Sequence, residues 1–253
     1  MGNQPATLAD VRLITGDQGQ GKSTIAVGFI IDAYYSQLNA IVSPNGEKIK
    51  SSPLSENDKK YLRKVGVYPN ALKYVRIYSE NEQSKIIKVP RNFMVLSPVK
   101  LFTNFHLYGV RYVRHYLADI VENINTDLYD DAWVVLDESS ETNSRRSMEA
   151  LNKLAVESFF SSIRKRKSHL ITIAQFNRQL EVMLRLFQTM SVTCSFDKNT
   201  NFITAEISKR GEPPFSVDVY GHNYWRFFKS DEKILARQDK LDRALAPIYK
   251  SVR

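Results

Sequence analysis

The sequence predicts an α/β fold built on a central, mainly parallel sheet flanked by helices, and three stretches carry that expectation. The first is Val11-Arg12-Leu13-Ile14-Thr15 running into Gly16-Asp17-Gln18-Gly19-Gln20-Gly21-Lys22-Ser23, a β-favouring segment followed by the spacing G-x-x-x-x-G-K-S and then by apolar residues from Ile25 to Ile31. The second is Trp133-Val134-Val135-Leu136-Asp137-Glu138, and the third is His169 to Ala174 followed by Gln175. Four apolar residues ending in two acids describe a strand buried on both faces, with its carboxylates emerging at the C-terminal edge of a parallel sheet.

The first stretch reads as a phosphate-binding loop. Gly16, Gly19 and Gly21 let the backbone turn tightly, so that the N–H groups of Gly16 to Thr24, through Asp17, Gln18 and Gln20, face one anion at the start of the next helix. Lys22 would reach the β- and γ-phosphates of ATP, and the Ser23 hydroxyl would sit on Mg²⁺. A strand before the loop and a buried helix after it are the setting this motif requires.

Composition narrows the classes. The chain has 253 residues, enough for one α/β domain with insertions, and carries 36 Lys and Arg against 27 Asp and Glu, a net charge of +9. That excess favours a polyanionic partner, nucleic acid or an anionic membrane surface. Cys194 is the single cysteine, which excludes a disulfide framework and cysteine-based metal sites and points to a reducing compartment. The four histidines are scattered without metal-ligand spacing. No run reaches the roughly 18 apolar residues of a bilayer span, and residues 1–5 lack the basic flank and apolar core of a signal peptide.

Between the informative stretches the pattern is plainer. The loop helix is expected to end near Tyr34 to Gln37, followed by a short strand at Ala40 to Ser43 and a Pro44-Asn45-Gly46 turn. Residues 46–90 read as an insertion on one domain, with a short helix around Asp58 to Val65 and a hairpin of Tyr74 to Tyr78 with Lys85 to Val89. Phe93 to Ser97 and the aromatic tract Phe102 to Tyr112 are β-like, and Tyr116 to Ile124 has helical spacing. Helices are expected at 147–167, with the basic end Arg164-Lys165-Arg166-Lys167, at 177–188 and at 230–250. Ser191 to Phe196, Phe202 to Ile207 and Ser216 to Tyr220 form an antiparallel set, so that 191–253 is a β/α extension of the single domain.

Phosphate-ester hydrolysis needs a held cation and an activated water, with little covalent work left to the protein. Asp137 suits the first need, opposite Ser23, and Glu138 suits the second as the base that orients the water. Gln175, at the tip of a neighbouring central strand, is positioned to report the state of the γ-phosphate. Tyr224, Trp225, Phe227 and Phe228 read as core or interface before they read as a base-stacking platform.

The order GDQGQGKS, VVLDE, a basic helix end and HLITIAQ resembles the FtsK–HerA superfamily of DNA-pumping ATPases, and most of all the genome-packaging ATPases of tailless membrane-containing viruses; Thr103 to Val110 and Ser144-Arg145-Arg146-Ser147 also look like that group. The resemblance spans roughly residues 10–190 and implies a RecA-like P-loop fold of the ASCE division. It implies a homohexameric ring acting on double-stranded DNA without reading its sequence, with a capsid vertex or membrane proteins as further partners, in the host cytoplasm or docked to the virion. It also implies an arginine supplied by the adjoining subunit: Arg164 by position before the sensor strand, Arg166 next, with Arg145, Arg146 and Arg178 behind them. The chain departs from the bacterial translocases in having Lys165, Arg166 and Lys167 where they have small residues and Gly.

Three other readings compete. A Zot-like phage morphogenesis ATPase shares the loop, the acidic strand and the Gln strand, but that group usually carries a membrane segment and an export domain. A small-molecule kinase needs an acceptor pocket and lid arginines that are not visible. A non-catalytic module that kept the loop has no reason to keep both Lys22 and Glu138.

Overall fold

The computed structural model describes residues 10–67, 71–81, 83–123, 125–137, 159, 162–175 and 188–229. The expected helices at 177–188 and 230–250 and most of that at 147–167 lie outside the described residues, as do Glu138, Arg145, Arg146 and Arg178.

An eight-stranded sheet runs in the order β13-β12-β11-β1-β10-β9-β7-β8. Its centre is β1 (Asp10–Thr15), β10 (His169–Ile173) and β9 (Ala132–Leu136), all parallel, with β10 between the other two. Every residue of β9 and β10 is buried, as their unbroken apolar runs require of strands covered on both faces. β7 (Lys100–Thr103) and β8 (Val113–Arg114) continue the parallel set beyond β9.

On the other side β11 (Met190–Asp197) pairs parallel with β1, and β12 (Phe202–Lys209) and β13 (Phe215–Tyr220) add antiparallel. The expected antiparallel set is therefore an extension of the main sheet, joined through β11 directly to the strand that leads into the glycine loop. α1 (Lys22–Ser36) packs on this sheet through Ile25, Val27, Ile30 and Ile31. Burying one such side chain contributes about 1.5–3 kcal/mol.

Residues 40–96 build a second sheet in the order β5-β4-β3-β2-β6: β2 (Ala40–Val42), β3 (Lys48–Ser52), β4 (Tyr74–Tyr78), β5 (Ser84–Lys88) and β6 (Met94–Leu96), all antiparallel. The expected hairpin and short helix are present, the latter as α2 (Glu56–Lys64), capped by Ser55 and Asp58 in a reciprocal box. The unit is wider than 46–90, because β2 and β6 pair with each other at its edge. Its inner face, Ile41, Val75 and Val95, joins one core with α1, and the Tyr34 hydroxyl donates to the Val95 carbonyl at 3.0 Å.

The aromatic tract does not form the continuous strand its composition suggests. After Thr103 the backbone leaves the sheet, reverses at Gly109 (φ 70°) and makes only isolated bridges, Val95 with Val110 and Leu107 with Phe228. Phe105, Leu107 and Val110 still fill the core, so burial rather than strand pairing accounts for their apolar character. A short α3 (Leu117–Glu122) follows, within the expected helical span. Tyr224, Phe227 and Phe228 are also core, with Phe227 edge-on to Tyr35 at 5.8 Å. Among the described residues no helix is long and apolar enough to cross a membrane.

Candidate functional site

The glycine loop links the C-terminal end of β1 to the first turn of α1, and two of its glycines are dictated by what surrounds them. A Cβ on Gly16 (φ 144°) would lie 2.7 Å from the Cys194 carbonyl oxygen, and one on Gly21 (φ 81°) would lie 2.6 Å from the Ile203 side chain. The β11–β12 hairpin thus presses against the loop, and only glycine permits it. Gln20 adds a polar tie, its side-chain oxygen accepting from the Phe196 N–H at 2.7 Å.

The start of α1 contrasts with that of α2. Gly21 caps it in the left-handed region, no side chain caps it, and its first turn holds no acid. No carboxylate of its own first turn faces its N-terminal dipole end, which therefore suits an anion from outside the helix. Lys22 stands over the loop, its Nζ donating to the carbonyls of Gly16 and Asp17, both at 2.7 Å. Asp17, Gln18 and Gly19 form the exposed rim. The Thr24 side chain is buried and its hydroxyl accepts from Trp225 Nε1 at 3.3 Å, which leaves its backbone as the part able to serve a ligand.

Ser23 meets the acidic strand. Its hydroxyl donates to Asp137 Oδ2 at 2.6 Å, across 114 residues of sequence. A hydroxyl and a carboxylate oxygen this close, at the loop and partly exposed, are the hard donors that suit Mg²⁺. Asp137 is itself held by a residue the sequence did not single out as functional. Asn104, buried at the end of β7, donates from Nδ2 to the Asp137 carbonyl and accepts from the Asp137 N–H, both at 2.8 Å. This two-point clamp fixes the strand end from which Asp137 projects.

Gln175 follows β10, which runs between β1 and β9. Its carbonyl accepts from the Gly16 N–H at 3.4 Å, and it lines an open cleft of about 500 Å³ with Thr15, Gly16 and Asp17 on one side and Thr193, Cys194 and Ser195 on the other. Burial pushes the Cys194 thiol up to about 12, so it is an inert wall of this cleft.

The basic turn before β10 lies at the opposite end of the sheet. A five-residue strand spans about 16 Å, beyond the reach of an arginine side chain, so neither Arg164 nor Arg166 serves the loop of its own chain. Arg166 is engaged locally: it donates to the Thr126 carbonyl, to Asp130 Oδ1 at 3.0 Å and to Ser162 Oγ at 3.1 Å. Arg164 is exposed.

No protein-family model and no curated protein matches the chain. Solved structures do share its fold. The N-terminal domain of zonular occludens toxin from Neisseria meningitidis superposes with a TM-score of 0.50 at 15% identity, covering 88% of this chain and 100% of that one. The genome-packaging NTPase B204 of Sulfolobus turreted icosahedral virus 2 gives 0.43 at 9% identity over 84% of this chain and 98% of that one. With a glycine loop between β1 and α1, an acidic strand separated from β1 by β10, and a mainly parallel sheet, the chain has the RecA-like fold of the P-loop ATPases.

Proposed function

We propose that the chain binds and hydrolyses Mg·ATP and uses the cycle to move double-stranded DNA, as a homohexameric ring that packages a viral genome into a preformed capsid. The observation that carries the catalytic part is the 2.6 Å contact of Ser23 with Asp137, which brings the glycine loop and the end of the acidic strand together, with Gln175 joined to the start of that loop through the Gly16 N–H. The DNA, the ring and the capsid rest on the sequence resemblance and on the +9 charge.

In this reading the loop N–H groups and the first turn of α1 bind the phosphates, and Lys22 exchanges the Gly16 and Asp17 carbonyls for phosphate oxygens. Ser23 and Asp137 would hold Mg²⁺, which would supply neutralisation of the phosphate charge. Glu138 orients and deprotonates the attacking water, and Gln175 senses the γ-phosphate. Arg164 from a neighbouring subunit stabilises the transition-state charge; its exposure and its distance from its own loop both suit action in trans.

A second reading, an assembly ATPase of the zonular occludens type, draws support from the superposition over the whole of that domain. ATP turnover measured with and without linear duplex DNA separates the two. Stimulation that grows with duplex length, weakens with salt and ignores sequence supports the packaging motor. Turnover indifferent to DNA refutes it and favours assembly.

A further inference from the structure

The function above leaves the second sheet unused, yet that sheet holds most of the charge. Residues 40–96 contain eleven Lys and Arg against five Asp and Glu, a net +6 of the chain's +9. The fold gathers part of this excess at one seam. Val89, just past β5, donates its N–H to the Lys73 carbonyl at 2.6 Å, and its own carbonyl accepts from the Arg226 guanidinium at 3.0 Å. Lys88 precedes Val89 and pairs across the sheet with Tyr74, next to Lys73. Arg91 follows, its guanidinium 5.2 Å from the Tyr108 ring centre, and Tyr108 in turn gives its N–H to the Phe227 carbonyl at 2.7 Å.

Four basic residues from three distant segments are therefore brought to one seam by the backbone of residues 88–91, and among the described residues no ion pair joins a carboxylate to any of them. Burial first, then the nearby Arg226 and Lys88, lower the pKa of Lys73; burial lowers that of Arg226 against the opposing effect of Tyr35, with Arg91 adding to the lowering. A seam of like charges with no carboxylate pair among the described residues suits a polyanionic ligand. Pro90 and Asn92, which flank Arg91, are exposed and polar or small, and Met94 is the one large apolar side chain exposed within three residues of it, too little to anchor in a bilayer, so the chemistry favours a strand of phosphates over a lipid surface.

We propose that Lys73, Lys88, Arg91 and Arg226 form a site for the phosphodiester backbone of duplex DNA, on the seam between the two sheets and separate from the nucleotide loop. The assignment rests on the DNA reading above and locates where the duplex is gripped. The Arg226 guanidinium is anchored by its bond to the Val89 carbonyl and the Lys73 backbone by the Val89 N–H, and Lys88 and Arg91 are the exposed members that meet the phosphates first.

The test compares the full chain with Lys88→Glu/Arg91→Glu and with a charge-matched control far from the seam, Lys198→Glu/Arg210→Glu, each checked by thermal unfolding. Affinity for a linear duplex is measured from 50 to 200 mM salt, beside affinity for vesicles rich in phosphatidylserine. The seam variant should bind DNA at least 10-fold more weakly, with the salt slope reduced by about 2, while the control stays within about 3-fold. If the seam variant fails to fold, Lys88→Gln/Arg91→Gln should still lower the slope by about 2. Equal losses in seam and control variants overturn the site while leaving the DNA reading intact. Vesicle binding that depends on Lys88 and Arg91, without DNA binding, also overturns it, and a wild-type chain that binds no duplex removes the DNA reading itself.

Discussion

Removing the Asn104 side chain tests how the cation-binding carboxylate is held. Asn104 is 1% exposed and exchanges two 2.8 Å hydrogen bonds with the main chain of Asp137. Asn104→Ala leaves the Asp137 N–H and carbonyl without these partners, at about 1–3 kcal/mol for each group that stays buried. Partial access to water reduces the total, so the expected destabilisation is about 2–4 kcal/mol by urea unfolding. Stability alone would not separate a positioning residue from a structural one. The decisive readout is nucleotide affinity with and without Mg²⁺. Phosphate binding by the loop needs no Asp137, so Mg²⁺-free affinity should change less than about threefold, whereas the increment that Mg²⁺ adds should fall at least tenfold. An equal loss in both conditions, or a stability change below about 0.5 kcal/mol, would refute the clamp.

Three further substitutions probe the site and the second sheet. Gly16→Ala drives a methyl onto the Cys194 carbonyl at a φ of 144°, which costs about 1–3 kcal/mol and should weaken nucleotide binding at least tenfold, while Gly46→Ala, with nothing within 4 Å, leaves binding unchanged; wild-type affinity in Gly16→Ala would contradict the packing argument. The Arg76 guanidinium hydrogen-bonded to Asp58 holds that carboxyl down at about 2, from an ordinary 3.8. A depressed folded pKa gives stability that is present above pH 4 and lost as pH falls through about 2, about 2 kcal/mol in all, so Asp58→Asn should flatten the acid-unfolding profile in that window, and parallel profiles would exclude the pair as its source. Glu138→Gln should retain ATP but stop turnover, and mixing it with Arg164→Ala subunits should restore part of the activity; wild-type hydrolysis in the first, or no rescue at any ratio in the second, removes the corresponding role.

The parts legible in the sequence are those where one segment's chemistry determines its structure. Gly16, Gly19 and Gly21 need positive φ, and β9 and β10 read as central strands because their apolar runs admit no solvent face. The meeting of Ser23 with Asp137 follows from the same motifs, since parallel strands bring their C-terminal ends to one edge. What stayed hidden depends on pairing between distant segments. β2 and β6 have three residues each, too few to show a period, and their partnership is fixed only when Ile41 and Val95 share the core with α1. The tract after Thr103 looked like a strand because β-propensity and burial select the same aromatic residues. Asn104 lies in the tract that carries part of the family resemblance, but its role has no signal in the sequence: a single amide acquires meaning only beside the strand end it clamps.

The most direct measurement is a double-mutant cycle on Mg²⁺-dependent nucleotide affinity, with Ser23→Ala, Asp137→Ala and the two combined. If both side chains hold one cation, each single change should abolish most of the Mg²⁺ increment and the double should be little worse than either, a coupling of at least about 1 kcal/mol. Losses that simply add, or an increment that survives both changes, would contradict a shared site and the ATPase built on it.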